Sequence, residues 1–242
     1  MTFVLTFKSP RNCTFVLNVK TMKKFVIVVA GGSGIRMGSE IPKQFLELCG
    51  KPVLMHTIQV FHNFDPECKI ILILPEDQQK YWNGLCLKHS FSLVHQVVGG
   101  GKTRFHSVQK GLSQIDGEGI VFIHDGVRPL VSRETLSRCL ETAQESGNAI
   151  PVLPVTESLR KLEGNQNISV DRSQYFSVQT PQTFRSKQIL EAFQQHFDPA
   201  FTDDASVAEK AGFPIFMVEG NCENIKITTP TDLIVAEALL RR

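Results

Sequence analysis

The feature that most constrains the fold of this chain is a glycine-rich loop that follows an apolar segment. Residues 25–29 (FVIVV) are uniformly apolar, which is typical of a buried parallel strand. Residues 30–38 (AGGSGIRMG) follow at once, and their glycines let the backbone turn sharply and bring N–H groups against a phosphate. Arg36 and Lys43 add two positive charges. Strand, loop and cations together predict a site that binds a triphosphate and stabilises its reaction.

Two common phosphate-binding motifs do not fit this chain. In the dinucleotide fingerprint G-x-G-x-x-G the third glycine falls on Met37, and the acidic residue expected about 20 positions further on is missing. The P-loop pattern ahead of residues 101–103 (GKT) needs a glycine where Gln96 stands. The remaining alternative is an ordinary glycine-rich turn between strand and helix, which has no need of two flanking cations.

Composition excludes several classes of protein. With 242 residues, 42% of them hydrophobic, the chain has the size of one α/β domain or at most two small ones. Lys+Arg 26 against Asp+Glu 24 predicts neither a nucleic-acid-binding nor a membrane-binding surface. No apolar run approaches the roughly 18 residues of a membrane span. The six cysteines are scattered without a C-x-x-C pair, which favours reduced thiols in a cytoplasmic protein over a zinc site.

The first 21 residues differ from the rest of the chain. Apolar and polar residues alternate irregularly in this segment, which allows a β-hairpin with its turn at residues 10–12 (PRN). The segment lacks the basic start and the apolar core of a signal peptide. Residues 22–24 (MKK) lead directly into the first strand of the repeating pattern. We therefore predict that residues 1–21 are an N-terminal extension without catalytic function and that residues 22–242 form the catalytic domain.

From residue 25 onward, apolar strands alternate with amphipathic helices. This alternation predicts a doubly wound, mainly parallel sheet, in which ligands bind at the carboxyl ends of the strands. The predicted strands are residues 25–29, 70–74, 92–98, 120–123, 149–153, 215–218 and 225–227. The predicted helices are residues 51–64, 78–88, 103–115, 132–146, 187–196 and 204–211, with a closing helix from residue 230.

Three loops with charged residues are predicted to lie at the same edge of the sheet. Residues 31–36, 99–104 and 125–128 all follow predicted strands. Asp125 comes directly after a buried strand, where a carboxylate can hold Mg²⁺ together with substrate phosphates. The alternative is that Asp125 caps a turn and pairs with Arg128. We expect His124 to be a hydrogen-bonded neighbour rather than a catalyst.

Residues 154–178 interrupt the alternation. Residues 158–162 and 168–170 flank a polar segment at 163–167, a pattern that predicts an extended β-hairpin. A protruding hairpin exposes edges and apolar side chains. We therefore predict a dimerisation arm at about 155–178 that embraces a second subunit in a homodimer, the alternative being a simple surface excursion.

Seven short motifs, in order and with compatible spacing, resemble the 2-C-methyl-D-erythritol 4-phosphate cytidylyltransferase family over roughly residues 24–242. They are AGGxGxRM at 30–37, PKQ at 42–44, GGxxRxxSV at 100–108, HDxxRP at 124–129, QTPQxF at 179–184, TDDAS at 202–206 and NIK at 224–226. The resemblance implies a Rossmann-like nucleotidyltransferase fold. It also implies Mg²⁺-dependent joining of CTP to a polyol phosphate, with release of pyrophosphate, in the non-mevalonate route to isoprenoids.

The resemblance also implies roles for individual residues. The acceptor phosphate is already an anion, so the reaction needs positioning and charge neutralisation rather than a general base. The implied catalytic residues are Arg36, Lys43, Arg172 and Lys226, with Arg172 on the returning hairpin strand and reaching the partner's site. The implied substrate-binding residues are Ala30, Gly31, Gly32, Ser33, Gly34, Gly100, Gly101, Arg104, Ser107, Asp125, Arg128 and Thr202, and Asp125 is the implied Mg²⁺ ligand.

Three positions depart from the family pattern. Glu157 and Ser158 stand where the family often has Asp-Thr, and Gly126 replaces a more usual Ala or Ser. These positions bear on the acceptor, so ribitol 5-phosphate cytidylyltransferase remains an alternative. An inactive nucleotide-binding scaffold is a second alternative, but it predicts loss of Arg36, Lys43 or Asp125, and all three are present.

Overall fold

The computed structural model describes residues 3–8, 14–19, 22–31 and 41–242. The strands in these ranges are β1 (Phe3–Lys8), β2 (Thr14–Val19), β3 (Lys23–Val29), β4 (Glu47–Leu48), β5 (Lys51–Pro52), β6 (Lys69–Leu74), β7 (Gln96–Gly99), β8 (Gly119–Asp125), β9 (Asn148–Pro154), β10 (Arg160–Glu163), β11 (Gln166–Ser169), β12 (Phe176–Val178), β13 (Gln182–Arg185) and β14 (Met217–Glu219). The helices are α1 (Val53–Phe64), α2 (Glu76–Lys88), α3 (Arg104–Leu112), α4 (Arg133–Ser146), α5 (Ser186–Ala192), α6 (Asp204–Lys210) and α7 (Pro230–Leu240). Lys43–Phe45 and Arg172–Gln174 are single turns of 3-10 helix.

Eight of the described strands form one mixed sheet in the order β12-β9-β13-β8-β3-β6-β7, with β14 pairing to β9. The pairs β3–β6, β3–β8, β6–β7 and β9–β14 are parallel. Strand β13 runs antiparallel between β8 and β9, and β12 runs antiparallel to β9. The predicted doubly wound, mainly parallel sheet is therefore confirmed, with antiparallel strands inserted where the chain returns from the hairpin.

The core lies on both faces of this sheet. Along β3, Phe25 and Ile27 pack on the face covered by α3, α5 and α6, while Val26 and Val28 pack on the face covered by α1, α2 and α4. Successive side chains of a strand point to opposite faces, so a strand buried on both sides must be apolar throughout. Helix α3 approaches closely, since a Cβ on Gly111 would lie 2.8 Å from Ile27 Cγ2.

The β-hairpin predicted within residues 154–178 forms, and the two N-terminal strands for which the sequence allows a hairpin also pair. Strands β1 and β2 pair antiparallel from Phe3↔Val19 to Lys8↔Thr14, and the turn predicted at residues 10–12 lies outside the described residues. Strands β10 and β11 pair antiparallel through a tight turn at Gly164, whose φ of 60° suits glycine. We call residues 155–178 the arm.

Several predicted elements were wrong in detail. Residues 225–227 are not a strand, although Ile227 N donates to the Val127 carbonyl at 3.0 Å. Strand β7 begins only at Gln96, and the helix predicted for 187–196 ends at Ala192. Strands β12 and β13 were not predicted, because three and four residues are too few to show a period. Among the helices that the structure describes, none has the length and apolar content needed to cross a membrane.

Candidate active site

A cavity of about 550 Å³ opens at the carboxyl ends of β3, β6, β7 and β8. It brings together nine of the predicted site residues: Ala30, Gly31, Lys43, Gly100, Gly101, Arg104, Ser107, Asp125 and Lys226. Its wall also contains seven residues that received no role from the sequence: Val29, Gln44, Pro75, Glu76, Lys102, Thr103 and Val127. Loops from separate strands meet here because parallel strands all end at one edge of the sheet.

Backbone hydrogen bonds draw the strand-end loops together. Ala30 N donates to the Ile73 carbonyl at 3.0 Å, and Gly100 N donates to the Leu74 carbonyl at 2.8 Å. Gly126 N donates to the Val29 carbonyl at 2.9 Å. The floor of the cavity is therefore a continuation of the sheet, and its position is set by the most buried part of the fold.

The loop after β7 is shaped by glycine and by the start of α3. Thr103 caps α3 by accepting from His106 N, and Ser107 Oγ accepts from Gly101 N at 3.0 Å. A Cβ on Gly101 would lie 2.5 Å from His106 Cβ and 2.7 Å from the His106 carbonyl carbon. No side chain fits at this position without moving the backbone, so glycine is required for the close approach of loop and helix.

Three cations surround the carboxylate of Asp125, the last residue of β8. Lys226 Nζ lies 3.0 Å from Asp125 Oδ2, Arg128 Nε lies 3.3 Å from the same oxygen, and Arg104 Nε lies 3.9 Å from Oδ1. Burial by itself would raise the pKa of this carboxyl, but the attraction of Arg104, Lys226 and Arg128 outweighs burial and holds the pKa well below its usual range. Asp125 is therefore an anion at neutral pH.

Arg104 is held in a two-pronged contact with Asp204. Its NH1 and NH2 groups donate to Asp204 Oδ1 and Oδ2 at 2.7 and 2.6 Å. Burial raises the pKa of the Asp204 carboxyl, and the Arg104 guanidinium opposes that rise. Both terminal nitrogens of Arg104 are thus committed to Asp204, and its Nε faces Asp125. Sequence reasoning placed Arg104 against substrate and assigned no role to Asp204.

His124 is part of a buried hydrogen-bond network behind Asp125. Thr180 Oγ1 accepts from Asp125 N at 3.1 Å and donates to His124 Nδ1 at 3.0 Å. His124 Nε2 donates to the Arg128 carbonyl at 2.9 Å. Burial lowers the pKa of His124 to about 4, so the ring is neutral at pH 7. His124 is a hydrogen-bonded neighbour of the site, as predicted.

Some predicted site residues lie outside the cavity wall. Arg128 stands behind Asp125 and donates from NH1 to the Asn224 carbonyl at 2.7 Å. Thr202 N donates to Ser206 Oγ at 3.1 Å. Arg172 is not on the returning hairpin strand but begins the 3-10 turn after it, where it is exposed and donates to the Thr156 carbonyl. Gly32, Ser33, Gly34 and Arg36 lie outside the described residues.

Comparison with known proteins agrees with this geometry. The sequence model of the 2-C-methyl-D-erythritol 4-phosphate cytidylyltransferase family matches residues 24–242. The protein of that name from Bacteroides fragilis is 52% identical over 219 residues, which cover 90% of this chain and 100% of the relative. The one from Porphyromonas gingivalis is 50% identical over 220 residues, 90% of this chain and 98% of the relative.

Solved structures of the same family also resemble this chain. The crystal structure of 2-C-methyl-D-erythritol 4-phosphate cytidylyltransferase from Thermus thermophilus superposes with a TM-score of 0.75 at 33% identity, covering 91% of this chain and 100% of that one. The family resemblance drawn from the seven motifs is thus confirmed. The chain belongs to the 2-C-methyl-D-erythritol 4-phosphate cytidylyltransferase family of nucleotidyltransferases.

Proposed function

We propose that this chain transfers the cytidylyl group of CTP to 2-C-methyl-D-erythritol 4-phosphate, releasing pyrophosphate and forming 4-diphosphocytidyl-2-C-methyl-D-erythritol in the non-mevalonate route to isoprenoids. The observation that carries the proposal is the meeting of Lys43, Arg104, Asp125 and Lys226 in one cavity at the strand edge. Family membership and relatives at 52% identity support the choice of nucleotide and acceptor.

The reaction requires control of charge rather than proton removal. An oxygen of the acceptor phosphate attacks the α-phosphorus of CTP, and the bond from that phosphorus to the bridging oxygen of pyrophosphate breaks. The attacking oxygen is already an anion, so two anions must approach and the leaving group gains negative charge. Lys43 and Lys226 contribute positive charge to the cavity wall and offset that charge. We assign the same role to Arg36 in the glycine loop.

The nucleotide side of the cavity is lined mainly by backbone. We propose that residues 30–34 and Gly100-Gly101, with Ser107, bind the cytidine and its phosphates. Ser107 Oγ is held by Gly101 N, so its position relative to the loop is set before a ligand arrives. A base that fails to match fixed polar groups leaves them unpaired, which favours CTP over other nucleotides.

The residues present fit Mg²⁺. Asp125 supplies an ionised oxygen ligand of the type that Mg²⁺ prefers. Across residues 22–31 and 41–242, no group of three or more His, Cys, Asp or Glu side chains could hold a metal by itself. Asp125 would share such an ion with the substrate phosphates, since Mg²⁺ is often bound by one or two carboxylates together with phosphates. We propose that Asp125 holds Mg²⁺, which when bound neutralises phosphate charge.

We propose that the acceptor is bound across a homodimer. The arm exposes apolar side chains, with Leu162 79% and Ile168 43% exposed, and such surface is costly unless a partner covers it. Arg172 lies at the base of the arm, in reach of such a partner. In this proposal Arg172, Thr202 and Lys226 contact the acceptor phosphate, and Arg128 acts by fixing Asp125.

The division of the chain also remains a proposal. We assign the catalytic domain to residues 22–242 and treat residues 1–21 as a non-catalytic extension, which is supported by a family match that starts at residue 24. We propose a cytoplasmic location. Cys49, Cys68, Cys86, Cys139 and Cys222 are all free, in keeping with a reducing compartment.

The test is pyrophosphate release by the purified chain with CTP and Mg²⁺. We expect release with 2-C-methyl-D-erythritol 4-phosphate and much less with ribitol 5-phosphate. Lys43→Ala should lower kcat by roughly 100- to 1,000-fold, by analogy with the loss of one oxyanion donor. Lys88→Ala, an exposed lysine at the far end of α2, is the matched control. Preference for ribitol 5-phosphate, or no release by a folded sample, would overturn the proposal.

A further inference from the structure

Lys43 stands on a very short element. The 3-10 turn Lys43–Phe45 has two backbone bonds, from Phe45 N to the Pro42 carbonyl at 2.8 Å and from Leu46 N to the Lys43 carbonyl at 3.3 Å. The two residues after Lys43 are buried, with Gln44 1% and Phe45 4% exposed. A single turn has little stability of its own, so the position of Lys43 depends on what holds Gln44 and Phe45.

Gln44 ties three parts of the cavity wall together through one amide group. Its Nε2 donates to the Ala30 carbonyl at 2.9 Å and to Gln78 Oε1 at 2.7 Å. Ala30 begins the glycine loop after β3, and Gln78 is in the first turn of α2. The turn that carries Lys43 is thereby fixed to the glycine loop on one side and to a helix on the other.

Phe45 is backed by a second, aromatic support. Its ring stacks on Trp82 with centroids 6.2 Å apart and meets Tyr81 edge-on at 5.2 Å. Trp82 is fully buried, and its Nε1 donates to His95 Nε2 at 3.0 Å. His95 Nδ1 donates in turn to the Leu93 carbonyl at 2.7 Å. Since an indole N–H can only donate and a carbonyl can only accept, this chain of bonds requires the His95 tautomer that carries its proton on Nδ1 and accepts at Nε2.

We propose that Gln44 is a positioning residue that sets Lys43 against the glycine loop, with Phe45, Trp82 and His95 as its rigid backing. This inference rests on the proposed function, because Lys43 acts there on developing phosphate charge. Gln44 donates to the Ala30 carbonyl and to Gln78, and we assign its effect on the reaction to the position of Lys43, the residue before it in the turn. A displacement of about 1 Å at a catalytic group can cost about 100-fold in rate.

The experiment compares Gln44→Met with Gln59→Met in the full chain. Gln59 is the matched control because its amide donates to Asn63 Oδ1 at 2.7 Å within α1, and Gln59 does not line the cavity. For Gln44→Met we expect kcat for pyrophosphate release to fall by about 10- to about 100-fold. The KM for CTP should change less than kcat, because Gly100, Gly101 and Ser107, which we also assign to the nucleotide, are untouched. Gln59→Met should keep the wild-type kcat.

Lys43→Ala then separates positioning from general damage. If Gln44 acts through Lys43, adding Gln44→Met to Lys43→Ala causes little further loss of kcat. A full, multiplicative loss in the double variant overturns the inference, as does an unchanged kcat in Gln44→Met. Should Gln44→Met fail to fold, Gln78→Leu removes only the acceptor on α2, and the same comparison with Lys43→Ala applies.

The outcome is distinct from a failure of the proposed function. If wild-type protein releases no pyrophosphate with CTP and 2-C-methyl-D-erythritol 4-phosphate, the proposed reaction is wrong. If the wild-type protein is active and the double variant loses kcat by the product of the two single losses, only the positioning role of Gln44 is wrong. The fluorescence of Trp82, the single tryptophan of the chain, reports whether the aromatic backing stays intact in each variant. An unchanged emission spectrum in Gln44→Met, together with the lowered kcat, is the expected result.

Discussion

Replacing Arg104 by Met should destabilise the fold far more than its position at the cavity wall suggests. Asp204 is fully buried, with both oxygens bonded to Arg104 at 2.7 and 2.6 Å. Removing one partner of a buried ion pair leaves an uncompensated charge and costs about 3–5 kcal/mol. The Arg104 side chain is 31% exposed, so water can reach part of the contact and the lower end applies. We expect the free energy of unfolding to fall by about 3 kcal/mol, which corresponds to a drop in Tm of roughly 6–12 °C for a domain of this size.

Urea unfolding followed by circular dichroism at pH 7.5 measures this loss. Asp204→Leu should cost less than Arg104→Met, because the freed guanidinium can turn toward solvent. The double variant should recover to within about 1–2 kcal/mol of wild type, since apolar side chains can replace a buried pair at little cost. Arg160→Met, on the exposed strand β10, is the control. A loss under about 1 kcal/mol in Arg104→Met, or no coupling in the double variant, would refute this reasoning.

Three further predictions concern His124, the loop after β7 and the arm. The pKa of His124 is lowered from 6.5 to about 4, so the unfolded chain binds more protons between these values and stability falls as pH drops through that window. Across this window the free energy of unfolding should fall by roughly 3 kcal/mol, which thermal melts between pH 4 and 8 would show as a lower Tm. A His124→Gln variant should not show this fall. Gly101→Ala should raise the KM for CTP by at least about tenfold, since its Cβ would lie 2.5 Å from His106 Cβ. The control is Gly84→Ala in α2, where the added Cβ meets open space. This control should leave the KM for CTP unchanged and raise the free energy of unfolding by about 0.5–1 kcal/mol. Leu162→Asp on the arm should shift sedimentation from dimer to monomer, and an unchanged dimer would contradict the dimerisation role of the arm.

The cavity residues were predictable in large part because parallel topology places them. Asp125, Gly100 and Ala30 follow apolar strands in the sequence, and such strands end at the same edge of a sheet. The local sequence pattern and this one rule of sheet topology were therefore enough to predict that the three residues lie close together. Lys226 follows no strand, and only the family resemblance placed it at the site, where it lies 3.0 Å from Asp125.

The partners of the site residues were not predictable in this way. Arg104 and Asp204 are 100 residues apart, and nothing in the sequence around either one specifies the other. Gln44 was visible within the PKQ motif, but its link to Ala30 and Gln78 depends on how the turn packs beneath α2. Contacts of this kind are set by the packing of whole elements, which a local pattern does not encode.

Patterns along the chain were enough to predict the family, the alternation of strands and helices, and the edge of the sheet at which the charged loops lie. These follow from local periodicity, from glycine and from residue order, all of which are written along the chain. The antiparallel position of β13 beside β8, the ion pair of Arg104 with Asp204 and the bond from Gln44 to the Ala30 carbonyl became visible only in the folded chain. Hydrogen bonds and ion pairs between distant segments form only when the entire core has brought the bonding atoms within about 3 Å of each other.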